Sequence, residues 1–326
     1  MFIVKYKIIF YIFSGILVVG SIVAMLVWGL NSSIDFKGGS LLEVSYSNGR
    51  PSQSIVIAAI TPLNLSASVI PSETNEYDIR TVTLSDAQKN SLISVLSALE
   101  PSSTSTMPIK IGSTTAMATV SSPGMQVTGF NTIGPTLGAE AAWKSIVAVI
   151  LVILAIVLFI AWAFRKVSEP VSSWKYGIVA IIDLVHNIMI PLGVFAVLGH
   201  FYGYEVDTLF VTSLLVVLGF SVHDTIVVFD RIRENLRVMP GSKPFSEIVG
   251  TSINQTFVRS INTSLVVLFA LAVLYFVGGA PTQHFALALI IGIAAGTYAS
   301  ICLGSPLLVT LEKWQKGKEN KKNNFL

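Results

Sequence analysis

Six apolar stretches dominate the pattern along the chain. They cover residues 8–30, 145–164, 176–199, 208–229, 260–278 and 285–311. Each is long enough for a helix to cross a bilayer, which takes about 20 residues. The first stretch is too long for the apolar part of a signal peptide and five more follow it, so we interpret it as a retained helix. The pattern predicts a polytopic α-helical membrane protein with six transmembrane helices.

Lysine and arginine are distributed unevenly between these stretches. If the N-terminus is cytoplasmic, 15 of the 21 basic residues fall in or beside cytoplasmic segments, whereas the two short opposite loops, 200–207 and 279–284, have none. Basic residues resist translocation. We therefore expect both termini in the cytoplasm, with residues 1–30 as the N-terminus and first helix, 145–311 as a five-helix bundle and 312–326 as a basic cytoplasmic tail.

The large segment 31–144 has a different pattern and is expected to lie outside the membrane, on the external side. Strand-like pieces at 34–46, 66–70, 77–84 and 125–133 alternate with helix-like pieces at 51–63 and 86–99. Strand–helix–strand–strand–helix–strand is the ferredoxin-like order. The Ser- and Thr-rich stretch 101–120 is interpreted as an exposed loop. The segment is thus predicted to be a small α+β domain.

Composition excludes several classes of protein. Only 12% of the residues are charged and 52% are apolar, against about 25% charged in typical soluble chains. Neither a purely soluble protein nor a disordered one fits. Cys302 is the single cysteine and no Cys/His cluster has metal-ligand spacing, so we expect no metal and no cofactor. A net charge of +3 gives no sign of nucleic-acid binding.

Two acidic residues, Asp183 and Asp224, fall inside the predicted spans. Ionisable groups in a bilayer cost about 2.5–3.5 kcal/mol on insertion scales, so a function is the default hypothesis. Both lie near the cytoplasmic ends of their spans, and Arg259 stands at the cytoplasmic entrance of the fifth. His186 and Asn187 share a helix face with Asp183. A proton relay fits this pattern, and the alternatives are a static buried ion pair or an Asp at a helix end that is hydrated among the lipid headgroups.

Three stretches together resemble the SecF family. They are 34–39, 133–140 and 219–235, and their motif residues are Asp35, Phe36, Gly38, Gly39, Gly134, Pro135, Asp224, Asp230, Arg231, Arg233, Glu234 and Asn235. SecF is the smaller partner of the SecD–SecF protein translocase and is related to the proton-driven RND transporters. The similarity runs almost end to end.

The resemblance implies a half-transporter in a bacterial-type cytoplasmic membrane, not an enzyme. It would pair with SecD beside the SecY-E-G channel and use protons to pull a translocating preprotein. The family's membrane Asp falls on Asp224 and its Arg on Arg259. The family has His-Asp on helix three where this chain has His186 and Asn187. We hypothesise that Asp183, one turn away, supplies the missing carboxylate.

Three alternatives remain. An RND-like exporter of lipids or small molecules shares the helices but normally has two six-span repeats and larger external domains. An intramembrane aspartyl protease would need a Gly-x-Gly-Asp motif, which precedes neither Asp183 nor Asp224. A passive scaffold would not need either carboxylate.

Overall fold

The computed structural model describes residues 2–47, 49–72, 74–99, 103–111, 114–122, 124–164, 173–238 and 243–323. Its elements, in chain order, are α1 (Phe2–Lys5), α2 (Lys7–Trp28), α3 (Ile34–Lys37), β1 (Gly39–Tyr46), α4 (Gln53–Ile60), β2 (Ser68–Pro71), β3 (Glu76–Thr81), α5 (Asp86–Ser97), β4 (Ser103–Ile111), β5 (Thr114–Ser122), β6 (Met125–Ile133), α6 (Pro135–Ala163), α7 (Ser173–Tyr202), α8 (Thr208–Val238), α9 (Phe245–Val277), α10 (Ala280–Ala299), a π-helix (Ser300–Gly304) and α11 (Ser305–Asn323). A short 3₁₀ turn, Thr61–Leu63, follows α4.

The chain divides into two compact units. The membrane unit comprises Met1–Asn31 and Ser145–Leu326, and the α+β unit comprises Ser32–Lys144. Among the described residues, six helical segments are long and apolar enough to span a bilayer: Lys7–Trp28, Pro135–Ala163, Trp174–Tyr202, Thr208–Val238, Phe245–Val277 and Pro281–Gln315. The prediction of six transmembrane helices is confirmed.

Several of these helices run well past the ends predicted for them, among them α8 and α9. α8 continues from the predicted end at residue 229 to Val238, and α9 begins at Phe245 rather than near residue 260. The added turns are amphipathic, and they bury Ile232 on α8 and Ile248 and Val249 on α9. A search for bilayer-length apolar stretches misses such turns, because their other face is polar.

The α+β unit contains a four-stranded antiparallel sheet in the order β2-β3-β1-β6. With α4 after β1 and α5 after β3, this is the predicted ferredoxin-like arrangement. A capping box begins α5, in which Ser85 and Gln88 satisfy each other's backbone N–H groups. The core of the unit consists of buried apolar side chains from the sheet and both helices, among them Leu42, Val44, Val56, Tyr77, Ile79, Leu92 and Leu96.

The predicted strand 34–46 is a strand only from Gly39 onward. Residues Ile34–Lys37 form a helical turn, whose cap is Ser33, with its hydroxyl accepting the Asp35 N–H at 3.1 Å. Gly38 and Gly39 follow at φ +75° and +141°. A helical cap followed by two glycines in the left-handed half of φ space breaks the extended pattern that the apolar residues indicate.

The loop predicted at 101–120 is wrong where the structure describes it. β4 and β5 form an antiparallel hairpin in which Ile111 pairs with Thr114 and Ser103 with Ser122. Thr, Val and Ile favour strands because their side chains are β-branched. The high content of Ser and Thr nevertheless resembles that of a loop. Only Gly112 and Ser113 separate the two strands in the sequence, and such a pair is a hairpin signal.

Candidate functional site

The first two motif stretches meet within the α+β unit. A side chain at Gly38 would come within 2.7 Å of the Pro135 Cα, and one at Gly138 within 2.8 Å of the Gly38 nitrogen. The Gly138 position also lies 3.1 Å from the carbonyl carbon of Phe36. Backbone therefore packs directly on backbone where α3 meets the start of α6, and this requires glycine.

The remaining residues of these two stretches shape the same junction. Asp35 lies in the capped turn of α3, and Gly134 accepts the backbone N–H of Gly138 at 3.0 Å, which begins α6. A side chain at Gly39 would come within 2.6 Å of the Thr81 carbonyl oxygen on β3. These motif residues thus build a tight structural joint.

Asp224 lies on α8 inside the membrane unit and is only 2% exposed. Its Oδ2 accepts a long hydrogen bond, 3.5 Å, from the Ser264 hydroxyl of α9. Ser264 is in turn 2.6 Å from the Thr297 hydroxyl of α10, and Thr297 donates to the Ile293 carbonyl at 2.9 Å. Three helices thus contribute to one hydroxyl chain that ends on a buried carboxyl group.

This chain of hydroxyl groups can satisfy the hydrogen-bonding needs of the Asp224 carboxyl group in either protonation state. When Asp224 is ionised, Ser264 donates to it and accepts from Thr297. When Asp224 is protonated, it can donate to Ser264, which donates to Thr297, while Thr297 keeps its bond to the Ile293 carbonyl. Hydroxyl groups carry one donor and two acceptor sites and rotate freely, so the reversal needs no movement of backbone. The arrangement suits a group that gains and loses a proton.

Two ionisable side chains neighbour Asp224. His223 Nδ1 lies 3.9 Å from Asp224 Oδ1, but the His223 side chain is 61% exposed on the surface of the bundle. Arg259 is exposed on α9, five residues before Ser264, and within the described part of the chain no ion pair joins it to Asp224. α9 begins 14 residues before Arg259, so this side chain lies part-way along the helix.

Asp183 on α7 is 1% exposed, and neither of its carboxyl oxygens has a hydrogen-bond partner among the described residues. Its carboxyl group packs against Gly304, the last residue of the π-helix, where an added Cβ would overlap Asp183 Oδ2. Single π-helical turns are rare and are often found at functional sites. Burying a carboxyl group without partners costs far less in the neutral form than in the ionised form.

His186 and Asn187 do not bond to Asp183 but link α7 to α8. The His186 Nδ1 lies 3.1 Å from the Asn187 Oδ1, and the Asn187 amide donates to the Ser221 hydroxyl. The His186 ring also stacks on Tyr298, with centroids 6.0 Å apart. This network lies one turn before Asp224 on α8.

A second link joins α8 to the π-helix. Thr225, next to Asp224, has its hydroxyl 2.9 Å from that of Ser300. Ser305 donates to the Ser300 carbonyl at 3.0 Å, satisfying an acceptor in the π-helical turn. Both acidic residues are therefore linked to the same π-helix: Asp224 through its neighbour Thr225, and Asp183 through its own contact with Gly304.

The basic motif at the end of α8 fastens α8 to α9. Asn235, 5% exposed, donates to the Ser252 hydroxyl and to the Gln255 Oε1, both at 2.8 Å. Arg231 donates to Gln255 Oε1 at 2.7 Å and pairs with Glu234 at 2.6 Å.

The other two charged residues of this motif pair along α8. Arg233 Nη2 lies 2.7 Å from Asp230 Oδ1, and the Arg233 guanidinium lies 5.8 Å from the centre of the ring of Phe164, which directly follows α6. The motif as a whole thus has a structural role at the end of the bundle, beyond setting topology.

Sequence reasoning missed Ser264, Thr297, Ser252 and Gln255. The signal for two of them, Ser252 and Ser264, was present, because α9 has a hydroxyl residue every fourth position from Ser252 to Ser264. Hydroxyls are common in membrane helices, where they bond to the carbonyl four residues back, and so do not stand out. Among the described residues no group of three or more His, Cys, Asp or Glu could hold a metal ion.

Comparisons with known proteins agree with one another. Residues 113–314 match the family model for the C-terminal part of the protein export membrane proteins SecD and SecF. The chain is 38% identical to the protein translocase subunit SecF of Thermobaculum terrenum over 312 residues, 95% of this chain and 93% of that one. The SecF of Anaerolinea thermophila is 33% identical over 313 residues, 95% and 92% of the two chains.

Among solved structures, the fold is similar to SecDF from Thermus thermophilus, described as a translocon-associated membrane protein. The TM-score is 0.76 at 26% identity, and the match covers 95% of this chain but only 38% of the longer SecDF chain. A second SecDF structure, in a super-membrane-facing form, gives a TM-score of 0.61 at 25% identity, covering 98% and 39%. The chain belongs to the SecF family of protein translocase subunits.

Proposed function

We propose that this chain uses proton flow to promote the translocation of preproteins across the cytoplasmic membrane, in a complex with a SecD subunit beside the SecY-E-G channel. Membership of the SecF family supports a role in protein export. The SecDF chain of Thermus thermophilus, of which this chain matches 38%, supports a SecD partner.

The observation that carries the proton step is the position of Asp224. Its side chain is buried where charge is expensive, and the Ser264–Thr297 hydroxyl chain can satisfy it with or without a proton. A carboxyl group that only stabilised the bundle would not need a reversible chain of donors. Asp224 is therefore the proton carrier in this proposal.

The other predicted site residues have supporting roles. Arg259 is exposed on α9, and the approach of its long side chain to Asp224 would favour the ionised carboxylate. Asp183 is the second carboxyl group, held against the π-helix. His186 and Asn187 couple α7 to α8 one turn from Asp224.

The proposed orientation follows from the basic residues. Both termini lie in the cytoplasm and residues 31–144 lie outside, because the short loops opposite the N-terminus have no Lys or Arg. Proton release or uptake at Asp224 would then shift the helices that lead into the external α+β unit, which would contact the emerging preprotein.

The experiment is co-purification with SecD followed by gradient-dependent preprotein translocation in reconstituted vesicles. We compare the parent with Asp224→Asn and with Glu247→Gln, a matched carboxyl-to-amide change at the start of α9, where Glu247 pairs with Lys243 at 2.7 Å. Asp224→Asn should remove the stimulation by the gradient, and Glu247→Gln should keep it. Full stimulation with Asp224→Asn would contradict the proton proposal, and failure to recover SecD would contradict the partner.

A further inference from the structure

One face of α9 carries four buried hydroxyl side chains at intervals of four residues. Ser252, Thr256, Ser260 and Ser264 are 0%, 7%, 1% and 3% exposed. Residues four apart lie on the same helix face, so the four hydroxyls form a continuous stripe. The two ends of the stripe are twelve residues apart in the sequence and hence about 18 Å apart along the helix.

The two ends of this hydroxyl stripe reach chemically distinct places on α8. At one end the Ser252 hydroxyl accepts from Asn235 at 2.8 Å, beside the Arg231–Gln255 bond at the polar end of the bundle. At the other end Ser264 lies 3.5 Å from Asp224. Because α8 and α9 run antiparallel, the stripe leads from the polar end of the bundle to the buried carboxyl group.

Ser260, in the middle of the stripe, has an unused hydroxyl. Its Oγ is buried and has no hydrogen-bond partner among the described residues. The other three are satisfied: Ser252 donates to the Ile248 carbonyl, Thr256 to the Ser252 carbonyl, and Ser264 bonds to Asp224 and Thr297. A buried hydroxyl without a partner is unfavourable unless a small polar ligand satisfies it. Water is a ligand whose donors and acceptors would satisfy this hydroxyl.

A second opening toward Asp224 is less suitable for protons. A cavity of about 290 Å³ between α9 and α10 reaches Ser264 and Thr297, but its lining is otherwise almost wholly apolar, including Phe257, Leu265 and Leu268. Apolar cavities stay dry. The hydroxyl stripe offers a polar way to Asp224.

We propose that the hydroxyl stripe of α9 is the route by which protons pass between Asp224 and the water at the Asn235 end of the bundle, with Ser260 binding water midway. This inference rests on the proposed role of Asp224. Each hydroxyl or water accepts one proton and passes one on, so the stripe itself is unchanged. The net transfer is one proton between water at the Asn235 end and the Asp224 carboxyl group.

The test uses the accessibility of engineered cysteines in the full-length chain purified with its partner and returned to vesicles. Cys302 is the single cysteine of this chain, so Cys302→Ala removes its thiol, and labelling is read on this chain alone. Ser260→Cys then places a thiol in the stripe. Ser213→Cys is the matched control, because Ser213 is 0% exposed on α8 and its hydroxyl is satisfied by the Phe210 carbonyl at 2.6 Å.

The reagent is a small charged methanethiosulfonate added separately to each side of the membrane. We expect Ser260→Cys to react at least about tenfold faster than Ser213→Cys, and faster when the reagent is on the side of Asn235, because charged reagents follow water. Equal, slow reaction of both thiols would overturn the proposal, as would fast reaction from the opposite side alone.

A flux measurement separates this route from the role of Asp224. Ser260→Val, which fills the stripe with methyl groups, should lower gradient-driven proton flux about fivefold, whereas Ser260→Thr, which keeps the hydroxyl, should retain it. Labelling requires no export activity. If Ser260→Cys fails to label while Asp224→Asn still removes stimulation, the route is wrong and the function stands. If Ser260→Cys labels but Asp224→Asn is harmless, the proposed function fails and only a hydrated stripe remains.

Discussion

The surroundings of Asp224 and Asp183 differ sharply, although both carboxyl groups are buried in the same helical bundle. Asp224 has a hydroxyl partner that belongs to a chain across three helices. Neither oxygen of Asp183 has a partner among the described residues, and its carboxyl group rests on Gly304. The first site can accommodate two protonation states, and the second fits the neutral acid.

The difference indicates that two acidic residues in the same membrane bundle can have different functions. Asp224 can exchange a proton with only a rotation of hydroxyl groups. Asp183 can ionise only if the helices move to bring a partner or water to it. We propose that Asp224 carries the proton, whereas Asp183 responds to or stabilises one conformation of the helical bundle through its contact with the π-helix.

The largest expected effect concerns the packing of Asp183 on the π-helix. Gly304→Ala places a methyl group on the Asp183 carboxyl group and should destabilise the bundle by about 2 kcal/mol, the usual cost of overpacking. The measurement is the free energy of unfolding in detergent. Gly219→Ala on α8 is the control, since a Cβ there meets nothing within 4 Å.

A double variant sharpens this test. Asp183→Ala together with Gly304→Ala should recover most of the loss, because the smaller side chain makes room for the methyl group. Additive losses would mean that the two residues do not press on each other and that Asp183 is held by something else.

The next effect is on export activity when Asp183 loses its acid. Asp183→Asn should lower gradient-dependent translocation about fivefold, and adding Asn187→Asp should restore it. At position 187 a carboxylate would have His186 and the Ser221 hydroxyl as donors in place of the present amide contacts, worth about 1 kcal/mol each. A harmless single variant would refute the idea that Asp183 replaces the family's second carboxylate.

A smaller effect is expected when the hydroxyl chain of Asp224 is cut. Ser264→Ala should lower the proton flux about threefold, because one hydrogen bond to the carboxyl group is lost, whereas Ser264→Thr should keep it. The corresponding change near Asp183, Ser305→Ala, removes a bond to the Ser300 carbonyl and should leave the flux nearly unchanged. Equal losses would show that the two sites do not differ as proposed.

The smallest effect provides a reference outside the membrane, in the α+β unit. Glu43 on β1 lies directly opposite Asp78 on β3. Burial raises the pKa of Glu43, and the carboxylates of Asp78 and Glu76 raise it further. Burial likewise raises the pKa of Asp78, although the Arg80 guanidinium opposes this. Both side chains are partly exposed to water, which weakens the repulsion between the two like charges.

Because the pKa values of these two carboxyl groups are raised in the folded state, the stability of the sheet depends on pH. A carboxyl group with a raised pKa in the folded state destabilises that state above this pKa, and the penalty disappears as the pH falls through it. Glu43→Gln should therefore stabilise the sheet by about 0.5 kcal/mol at neutral pH and by almost nothing near pH 4. Slower amide exchange of residues 39–46 and 76–81 at pH 7 alone would agree, and an equal gain at both pH values would not.

The apolar stretches predict the architecture well, and the two acids inside them select the residues of the candidate site. The length of the apolar stretches suffices to predict six helices, and Asp183 and Asp224 stand out because charged residues are rare inside membrane spans. The partners of these acids could not be predicted. Ser264 and Thr297 look like ordinary membrane hydroxyls, and Gly304 meets Asp183 through a π-helical turn that has no sequence signature we recognised. The β4–β5 hairpin was missed because Ser and Thr resemble a loop.

The central claim is that Asp224 carries the proton, and proton flux tests it most directly. The chain with its SecD partner is placed in vesicles that contain a pH-sensitive dye, and a gradient is imposed. The account predicts that Asp224→Asn reduces the flux at least about tenfold, to the level of protein-free vesicles, while Asp183→Asn leaves a measurable part. Flux through Asp224→Asn equal to that of the parent would contradict it.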